Sequence, residues 1–168
     1  DEMVYGNTDR MSREAPVLIL RHYNTKIILG AASNAANNIA ALNGGKVSVI
    51  GTYGDDYYAP ILIDTFKKSG INTEYMVKDK SRATTVKTRI SGSCSQSVTQ
   101  QIVRIDRETI DPLSKKTEDK IIEKMEKAIP KHDAVILSDY NIGLLTDNII
   151  KKAIELCKKY NKIIVVDS

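Results

Sequence analysis

Residues 134–166, AVILSDYNIGLLTDNIIKKAIELCKKYNKIIVV, contain the pattern that decides the fold class. Two short apolar runs, Ala134 to Leu137 and Ile163 to Val166, flank a segment in which apolar residues recur at helical spacing. That segment begins at Thr146, a residue type suited to a helix N-cap. Short buried strands separated by amphipathic helices are typical of a parallel sheet covered on both faces. We therefore predict an α/β fold.

The same alternation extends back to residue 32. In chain order the pattern predicts a helix from Ala32 to Ala40, a strand over Lys46–Ile50, a helix over Tyr57–Ser69 capped by Gly70, a short strand over Thr73–Val77, and a helix around Ile121–Ile129 that Pro130 closes. We expect the strands at 46–50, 134–137 and 163–166 to lie in one parallel sheet with helices on both faces.

Two segments do not fit this alternation. Val17 to Leu29 is apolar and β-rich around a polar middle. The run from Thr84 to Ile105 alternates apolar and polar residues on either side of a small-polar turn at Gly92–Ser97. Both segments are predicted to form hairpins in a small sheet that stands off the α/β body. Such a sheet suits a lid over a ligand or a dimer surface.

Composition narrows the function classes. Of 168 residues, 42% are hydrophobic and 27% are charged, which is the balance of a soluble globular protein. The net charge of +4 is mild, and with no Trp and one Phe the chain lacks an aromatic stacking platform, so we do not favour nucleic-acid binding. No apolar run spans a bilayer, no leader directs secretion, and Cys94 and Cys157 offer neither a disulfide framework nor metal-ligand spacing. These features predict a cytoplasmic protein with no membrane contact.

Two groups of residues are candidates for ligand binding. Gly30-Ala31-Ala32-Ser33-Asn34 leads into a helix, where small residues let a ligand approach backbone N–H groups and Asn34 offers a donor and an acceptor to a sugar hydroxyl. Asp139 follows a predicted strand, and ligands of open parallel sheets collect beyond the carboxyl ends of strands. Close helix packing and an ordinary surface carboxylate are the structural alternatives, and the pattern leaves them open.

Other polar residues have simpler expected roles. In the turn Gly51–Asp56, Asp55 or Asp56 is expected to cap a helix rather than to contact a ligand. His22 and His132 have no partner pattern that suggests a catalytic triad or a metal site, so we expect both at the surface.

Six motifs, taken in order, resemble those of the ribokinase-type (phosphofructokinase-B) carbohydrate kinases. They are the opening stretch Asp1–Val17, Gly30–Asn34 for the signature G-G-A-A-N, Gly51–Asp56 for G-x-x-G-D-D, Thr85–Arg89 for T-x-K-x-R, Arg104–Asp106 for R-x-D, and Leu137–Gly143 for L-S-D-Y-x-K-G. The branch that the chain resembles most is the heptose-7-phosphate kinase domain of ADP-heptose synthases. The resemblance implies a ribokinase-like three-layer parallel sheet with a small β lid. Residues 1–168 would then be an incomplete, N-terminal part of one kinase domain, with lid strands at about 15–30 and 84–106.

This resemblance also implies an activity, namely transfer of the γ-phosphate of ATP, with Mg²⁺, to a sugar or sugar phosphate bound between the body and the lid. The expected substrate is D-glycero-D-manno-heptose 7-phosphate, which becomes the 1,7-bisphosphate, and the expected assembly is a homodimer formed through the lid. The positions that match the family's substrate-binding residues are the sugar-hydroxyl ligands Asp1 and Asn34, the lining backbone of Gly30, Ala31 and Ala32, the basic lid residues Lys87, Arg89 and Arg104, and Asp139 in the cleft.

The chain departs from the family pattern at several points. Ala31 replaces the second glycine of the signature and narrows the space beside the sugar, and Ile142 replaces a lysine of the heptose branch. The strand that precedes Asp1 in the family, and the later metal-associated and catalytic-base motifs, have no counterpart in these 168 residues. We therefore expect no catalytic base among them, and we expect this stretch alone to bind without turnover.

Three alternatives stand beside the kinase. The first is a sugar- or nucleoside-binding module without chemistry. The second, a dinucleotide-binding oxidoreductase, is less favoured because no G-x-G-x-x-G opens a helix after the first strand. The third is a structural role through lid-to-lid dimerisation, which is compatible with kinase activity.

Overall fold

The structure, a computed structural model, describes residues 1–44, 46–93 and 98–167. The chain divides into two compact units, Asp1–Ile28 with Thr85–Arg107, which we call the sheet unit, and Leu29–Thr84 with Glu108–Ser168, which we call the α/β unit. In chain order the elements are β1 (Glu2–Met11), β2 (Leu18–Ile27), α1 (Ala32–Asn43), β3 (Gly51–Tyr53), α2 (Tyr58–Lys68), β4 (Met76–Lys78), β5 (Val86–Ser93), β6 (Gln100–Arg107), α3 (Lys115–Ala128), a 3₁₀ turn (Ile129–Lys131), β7 (Ala134–Ser138), α4 (Asp147–Lys159) and β8 (Ile163–Asp167). Most of the turn predicted at Gly92–Ser97, residues 94–97, lies outside the described residues.

The sheet unit is a four-stranded sheet in the order β2-β1-β5-β6. β1 runs antiparallel to β2 and parallel to β5, and β5 runs antiparallel to β6. The prediction that residues 17–29 and 84–105 supply strands of one small sheet is confirmed.

Two features of the sheet unit differ from the sequence-based expectation. The hairpin predicted within Val17–Leu29 is wrong, because this segment forms one strand whose polar middle pairs with β1 instead of turning. Arg21 lies opposite Asn7, and its guanidinium is 2.8 Å from the Asp9 carboxylate. β1 itself was not predicted, since its sequence EMVYGNTDRM shows no clean alternation of apolar and polar residues.

The strands of the α/β unit pair in parallel, β3 with β4 and β7 with β8. Within the described ranges, hydrogen bonds join them as two separate pairs rather than as the single sheet that the sequence predicted. The strand predicted over Lys46–Ile50 is wrong, because there Ser48 forms an isolated parallel bridge to Asn72 and the ladder resumes at β3. The physical reason lies in the partner segment. The Asn72 side chain accepts a hydrogen bond from the Glu74 amide (2.9 Å), which turns the chain before β4 begins.

Two apolar clusters attach the helices to these strands. In one cluster, residues of α3, α4 and β7 pack together, and its buried members include Ile121, Met125, Leu137, Ile149, Ala153 and Cys157. In the other, Ala36 and Ala40 of α1 pack with Phe66 of α2. The helical periodicities seen in the sequence therefore correspond to buried faces, and the predictions of these helices are confirmed. None of the helices in the described ranges is long and apolar enough to cross a membrane.

Side-chain caps begin α2 and α4 where the sequence predicts them. The Thr146 hydroxyl accepts a hydrogen bond from the Ile149 amide (3.3 Å) at the start of α4. At the start of α2, Asp56 Oδ1 accepts hydrogen bonds from the Tyr58 and Ala59 amides (3.0 and 3.1 Å). Of the two aspartates considered for this turn, Asp56 is therefore the cap.

The expectation for His132 is wrong, because this residue is half-buried rather than at the surface. Its Nδ1 lies 2.8 Å from the Ala128 carbonyl oxygen, and its Nε2 lies 2.9 Å from the Ser48 hydroxyl. The ring thus joins the end of α3 to the segment before β3, a contact across 84 residues that no local pattern announces. His22 is exposed, as expected.

Asp79 is a buried carboxylate that ties the segment after β4 to α3. It is 8% exposed and accepts hydrogen bonds from the amide and hydroxyl of Ser81 (2.9 and 2.6 Å) and from the Thr117 hydroxyl (2.8 Å). Burial raises the pKa of Asp79, but the hydrogen bonds from Ser81 and Thr117 outweigh burial and hold the pKa below its ordinary value.

Glu118 is a second buried carboxylate, 5% exposed, on the first turn of α3. It accepts hydrogen bonds from the Thr146 hydroxyl and from the Lys115 ammonium group (3.0 Å). The hydrogen bond from Thr146, and next that from Lys115, hold the pKa of Glu118 below its ordinary value. Glu118 therefore joins the start of α4 to the start of α3.

We expect the free energy of unfolding to fall as the pH drops below about 4. Because the pKa values of Asp79 and Glu118 are lower in the folded chain than in the unfolded one, their stabilisation is complete above the unfolded pKa. It is lost as the pH falls toward the folded pKa. Urea titrations between pH 7 and pH 3 measure this change, and Glu118→Gln should make its slope shallower. Glu155→Gln, on the exposed side of α4, is the control. Equal slopes for Glu118→Gln and the wild type would contradict the assignment.

Candidate functional site

Three basic residues of the sheet unit share one face of its sheet. Arg89 of β5 lies opposite Arg104 of β6, and Lys87 lies opposite Asp106. Residues two apart on a strand, and residues directly opposite across two strands, point to the same face. Lys87, Arg89 and Arg104, the residues predicted to bind a sugar phosphate, therefore form one basic cluster.

Two carboxylates neutralise part of the basic cluster. Asp1 Oδ1 lies 2.9 Å from Arg89 Nη1. Asp106 lies 2.9 Å from Lys87 Nζ and 2.9 Å from Arg104 Nε. The hydrogen bond from Lys87, and next that from Arg104, lower the pKa of Asp106, so that it stays ionised. Two carboxylates therefore lie beside the three cations of the cluster.

Arg89 keeps hydrogen-bonding capacity despite its contact with Asp1. Its Nη1 atom is buried and makes no aligned hydrogen bond to any described residue, so the approach of Asp1 is an ion pair alone. A buried guanidinium donor without an acceptor is costly. An anion with several oxygens would supply the missing acceptor.

The segment Gly30–Asn34, predicted to contact a sugar, forms the beginning of α1. Ala31 takes the N-cap position with φ 50° and ψ −131°, and its side chain cannot cap the helix. The Asn34 amide donates to the Ala31 carbonyl (2.9 Å), while the Asn34 residue itself is exposed. No acidic residue occupies the first turn. The first turn of α1 therefore contains no anionic side chain that could balance the partial positive charge at the N-terminal end of the helix.

Asp139 stands directly after β7, where the sequence places it. Its amide donates to the Asp167 carbonyl (2.8 Å), and its Oδ1 accepts a hydrogen bond from the Asn141 amide (2.8 Å). The turn that follows contains two left-handed residues, Asn141 with φ 54° and Gly143 with φ 75°. The carboxylate is thus half-buried and oriented by its own turn.

Of the predicted site residues, the structure brings Asp1 together with Lys87, Arg89 and Arg104. Asp1 and the basic cluster lie on one face of the sheet unit, while Gly30, Ala31, Ala32 and Asn34 lie at the start of α1 and Asp139 at the end of β7. The convergence of Asp1, Asn34 and Asp139 on one cleft stays a prediction, and so do their contacts with a substrate.

Sequence reasoning missed Arg82, which lies between β4 and β5. Its guanidinium donates to the backbone carbonyls of Thr109 (2.6 Å), Ile142 (2.7 Å) and Asp111. Backbone carbonyls are present at every position, so these acceptors leave no signal in the sequence. Asp106 was visible as the last residue of the R-x-D motif, but its contact with Lys87 follows from strand register alone.

Comparison with known proteins places the chain in a family. Residues 2–168 match the family described as pfkB family carbohydrate kinase. The chain is 38% identical over 167 residues to the bifunctional protein HldE of Desulfatibacillum aliphaticivorans, an alignment that covers 99% of this chain and 33% of that protein. The chain therefore spans about a third of the length of this curated relative.

Solved sugar kinases share the fold. Ribokinase of Arabidopsis thaliana, complexed with ribose and ATP, aligns with a TM-score of 0.60 at 12% identity, over 100% of this chain and 50% of that one. A carbohydrate kinase from Agrobacterium tumefaciens aligns with a TM-score of 0.65 at 15% identity, over 98% of this chain and 50% of that one. The ribokinase-like α/β fold predicted from the sequence is confirmed.

We expect Ala31→Gly to raise the free energy of unfolding by about 1 kcal/mol. A residue with a Cβ at φ 50° and ψ −131° carries backbone strain of about 1–3 kcal/mol, which glycine removes at an entropic cost of about 0.5–1 kcal/mol. Urea denaturation measures the difference. Ala41→Gly, at an exposed position of the same helix, is the matched control and should destabilise. If both variants lose stability alike, Ala31 is not strained.

Proposed function

Since the chain belongs to the pfkB family of carbohydrate kinases, we propose that it forms the sugar-binding side of an ATP-dependent kinase that acts on a sugar phosphate. The substrate we favour is D-glycero-D-manno-heptose 7-phosphate, converted to the 1,7-bisphosphate. The similarity to an HldE protein over nearly the whole chain supports this choice, together with the motifs that resemble the heptose branch. The reaction would take place in the cytoplasm, as the sequence predicts.

The observation that carries this proposal is the pairing of Arg89 with Arg104 across β5 and β6. Like charges directly opposite each other destabilise a sheet. Although the carboxylate of Asp1 lies beside Arg89, Arg89 Nη1 has no aligned acceptor among the described residues. A phosphate would provide several acceptor oxygens together with negative charge, which a guanidinium donor binds well. An unphosphorylated sugar would provide hydroxyl acceptors but no negative charge.

The start of α1 would recognise the hydroxyl groups of the sugar. Its small residues Gly30, Ala31 and Ala32 allow close approach of a ligand to the backbone. Asn34 is exposed, and the carboxamide group of its side chain can donate to one hydroxyl and accept from another. In this proposal these residues bind and orient the sugar, and Asp139 contributes a further acceptor near it.

Kinases of this family use ATP and a divalent metal. Among residues 1–44, 46–93 and 98–167, no three His, Cys, Asp or Glu side chains are grouped so that they could hold a metal ion. The residues described here therefore do not fit a complete Mg²⁺ site, and we assign them no catalytic or metal-binding step. Their role in the proposed reaction is to bind the sugar phosphate and hold it in place, which is a large part of phosphoryl-transfer catalysis.

We expect Asn34→Ala to weaken binding of heptose 7-phosphate by about 1–3 kcal/mol, through loss of hydrogen bonds within a desolvated site. Isothermal titration calorimetry of this chain measures the affinity, and urea denaturation should show unchanged stability because Asn34 is exposed. Asn38→Ala, four residues further along α1 and also exposed, is the matched control.

Parallel titrations separate the proposed function from its alternatives. Unphosphorylated heptose should bind more weakly than heptose 7-phosphate, because the basic cluster then lacks its anion. Adenosine tests the alternative of a nucleoside-binding module. Equal affinities of wild type and Asn34→Ala, or tighter binding of adenosine than of heptose 7-phosphate, would count against the proposal.

We also propose that the sheet unit forms a homodimer surface. β2 and β6 are its two edge strands, and both expose apolar side chains, namely Leu18, Tyr23, Ile102, Val103 and Ile105. Every residue of β6 is exposed. An open edge strand with apolar side chains favours pairing with another chain, and a second copy would cover both the edge and the apolar groups.

We expect the chain to sediment as a dimer and the double variant Val103→Lys/Ile105→Lys to sediment as a monomer in analytical ultracentrifugation. In a dimer, two lysines on one face of the edge strand would repel the same lysines of the second copy. Burying their charges in the interface would also cost desolvation energy. Ile110→Lys, an exposed apolar position in the α/β unit, is the control and should leave the dimer intact. A monomeric wild type would refute dimerisation.

A further inference from the structure

The conformation of the turn that carries Asp139 depends on a neighbouring segment of the α/β unit. Gly143 adopts φ 75°, and a Cβ added to it would lie 2.1 Å from the Asp111 carbonyl oxygen. The Gly143 carbonyl in turn accepts a hydrogen bond from the Leu113 amide (3.2 Å). The backbone at Gly143 therefore lies directly against residues 110–113.

Arg82 joins the two sides of this contact. Its Nη2 donates to the Ile142 carbonyl at 2.7 Å and to the Thr109 carbonyl at 2.6 Å, and its Nη1 donates to the Asp111 carbonyl. One planar guanidinium thus links the two backbone segments, residues 109–111 and Ile142. The acceptors are neutral carbonyl groups rather than carboxylates. The strength of these hydrogen bonds therefore depends on how well the N–H groups are aligned with the carbonyl oxygens.

The backbone at Arg82 is itself anchored to neighbouring parts of the unit. The Arg82 amide donates to the Asp79 carbonyl (3.3 Å), and the amide of the next residue, Ala83, lies 3.3 Å from the Thr109 hydroxyl. The half-buried guanidinium therefore extends from a backbone that is anchored at both of its neighbouring segments. A side chain held in this way can impose a position on the turn rather than follow it.

The consequence concerns Asp139. Its Oδ1 accepts a hydrogen bond from the Asn141 amide, and Asn141 holds a left-handed conformation, φ 54°, directly before the Ile142 carbonyl that Arg82 binds. If Ile142 is released, this strained turn loses the contact that keeps Asn141 in place. The carboxylate would then lose its fixed orientation.

We propose that Arg82 is a positioning residue that holds residues 139–143 against residues 109–111 and thereby orients Asp139 for binding of the sugar phosphate. The part of this inference that concerns the sugar rests on the proposed function. The part that concerns the turn can be tested without any ligand. Arg82 contacts no reacting group in this assignment and acts through Asp139.

The first test measures the turn itself, with Arg82→Gln, Arg82→Lys and the control Arg13→Gln, which removes the same charge from an exposed position. Hydrogen exchange followed by NMR should show faster exchange of the Asn141 and Leu113 amides in Arg82→Gln, by about tenfold or more, while amides within α4 keep their wild-type rates. Arg82→Lys should give an intermediate result, because an ammonium group cannot reach three carbonyls in one plane. It also serves in place of Arg82→Gln if that variant does not fold.

The second test measures binding of heptose 7-phosphate by calorimetry. Arg82→Gln should weaken binding by about tenfold, Arg82→Lys by less, and Arg13→Gln should match the wild type. Unchanged exchange at the Asn141 and Leu113 amides would show that Arg82 does not hold the turn. A uniform rise in exchange that includes α4 would show a general structural role. Either result would overturn the assignment. Faster exchange in the turn with unchanged sugar affinity would overturn the link to Asp139. A wild-type chain that binds no heptose 7-phosphate would overturn the proposed function, while the exchange rates would still decide whether Arg82 holds the turn.

Discussion

The carboxylate of Asp56 determines how the first half of the α/β unit is connected. Its Oδ1 caps α2 through the Tyr58 and Ala59 amides, and its Oδ2 accepts a hydrogen bond from the Thr84 amide at 2.7 Å. The Thr84 hydroxyl accepts in turn from the Gly54 amide at 2.9 Å. One side chain therefore fixes the start of a helix to a segment 28 residues further along the chain. Burial raises the pKa of Asp56, but these hydrogen bonds outweigh burial and lower the pKa below its ordinary value. The carboxylate therefore remains ionised and accepts all three backbone hydrogen bonds.

The position of Gly54 makes this connection possible. A Cβ there would lie 2.5 Å from the Arg82 carbonyl oxygen and 2.8 Å from the Thr84 amide nitrogen, so the two backbones can meet only at a glycine. Asp79, which lies a few residues before Arg82 and Thr84, accepts hydrogen bonds from Ser81 and Thr117. Apolar clusters attach helices to strands in this unit, whereas buried polar side chains fix the loops that connect them. Loops carry more unpaired backbone groups than helices or strands, which explains this division of roles.

The sequence predicted those parts of the fold that depend on local pattern. α2 and α4 follow from periodicity, and the cap of α4 follows from Thr146. For α2 the sequence offered Asp55 or Asp56, and the structure selects Asp56. The strand expected at 46–50 failed because the Asn72 side chain, 24 residues away from Ser48, turns the partner segment. β1 could not be recognised because its sequence shows no clean alternation of apolar and polar residues, and its place is set by pairing with β2 and β5. Contacts of this kind depend on register and approach, neither of which a single sequence encodes locally.

The same distinction holds for the candidate site. Motif resemblance identified Lys87, Arg89 and Arg104 as separate positions, whereas strand register places two arginines opposite each other with Asp106 between two of the cations. This arrangement has a cost for the free chain, since like charges face each other and one buried guanidinium donor has no aligned acceptor in the described structure. The carboxylates that reduce this cost lie beside the cations, so an incoming phosphate would exchange partners with them. A site built in this way gains most from a ligand that carries both charge and several oxygens.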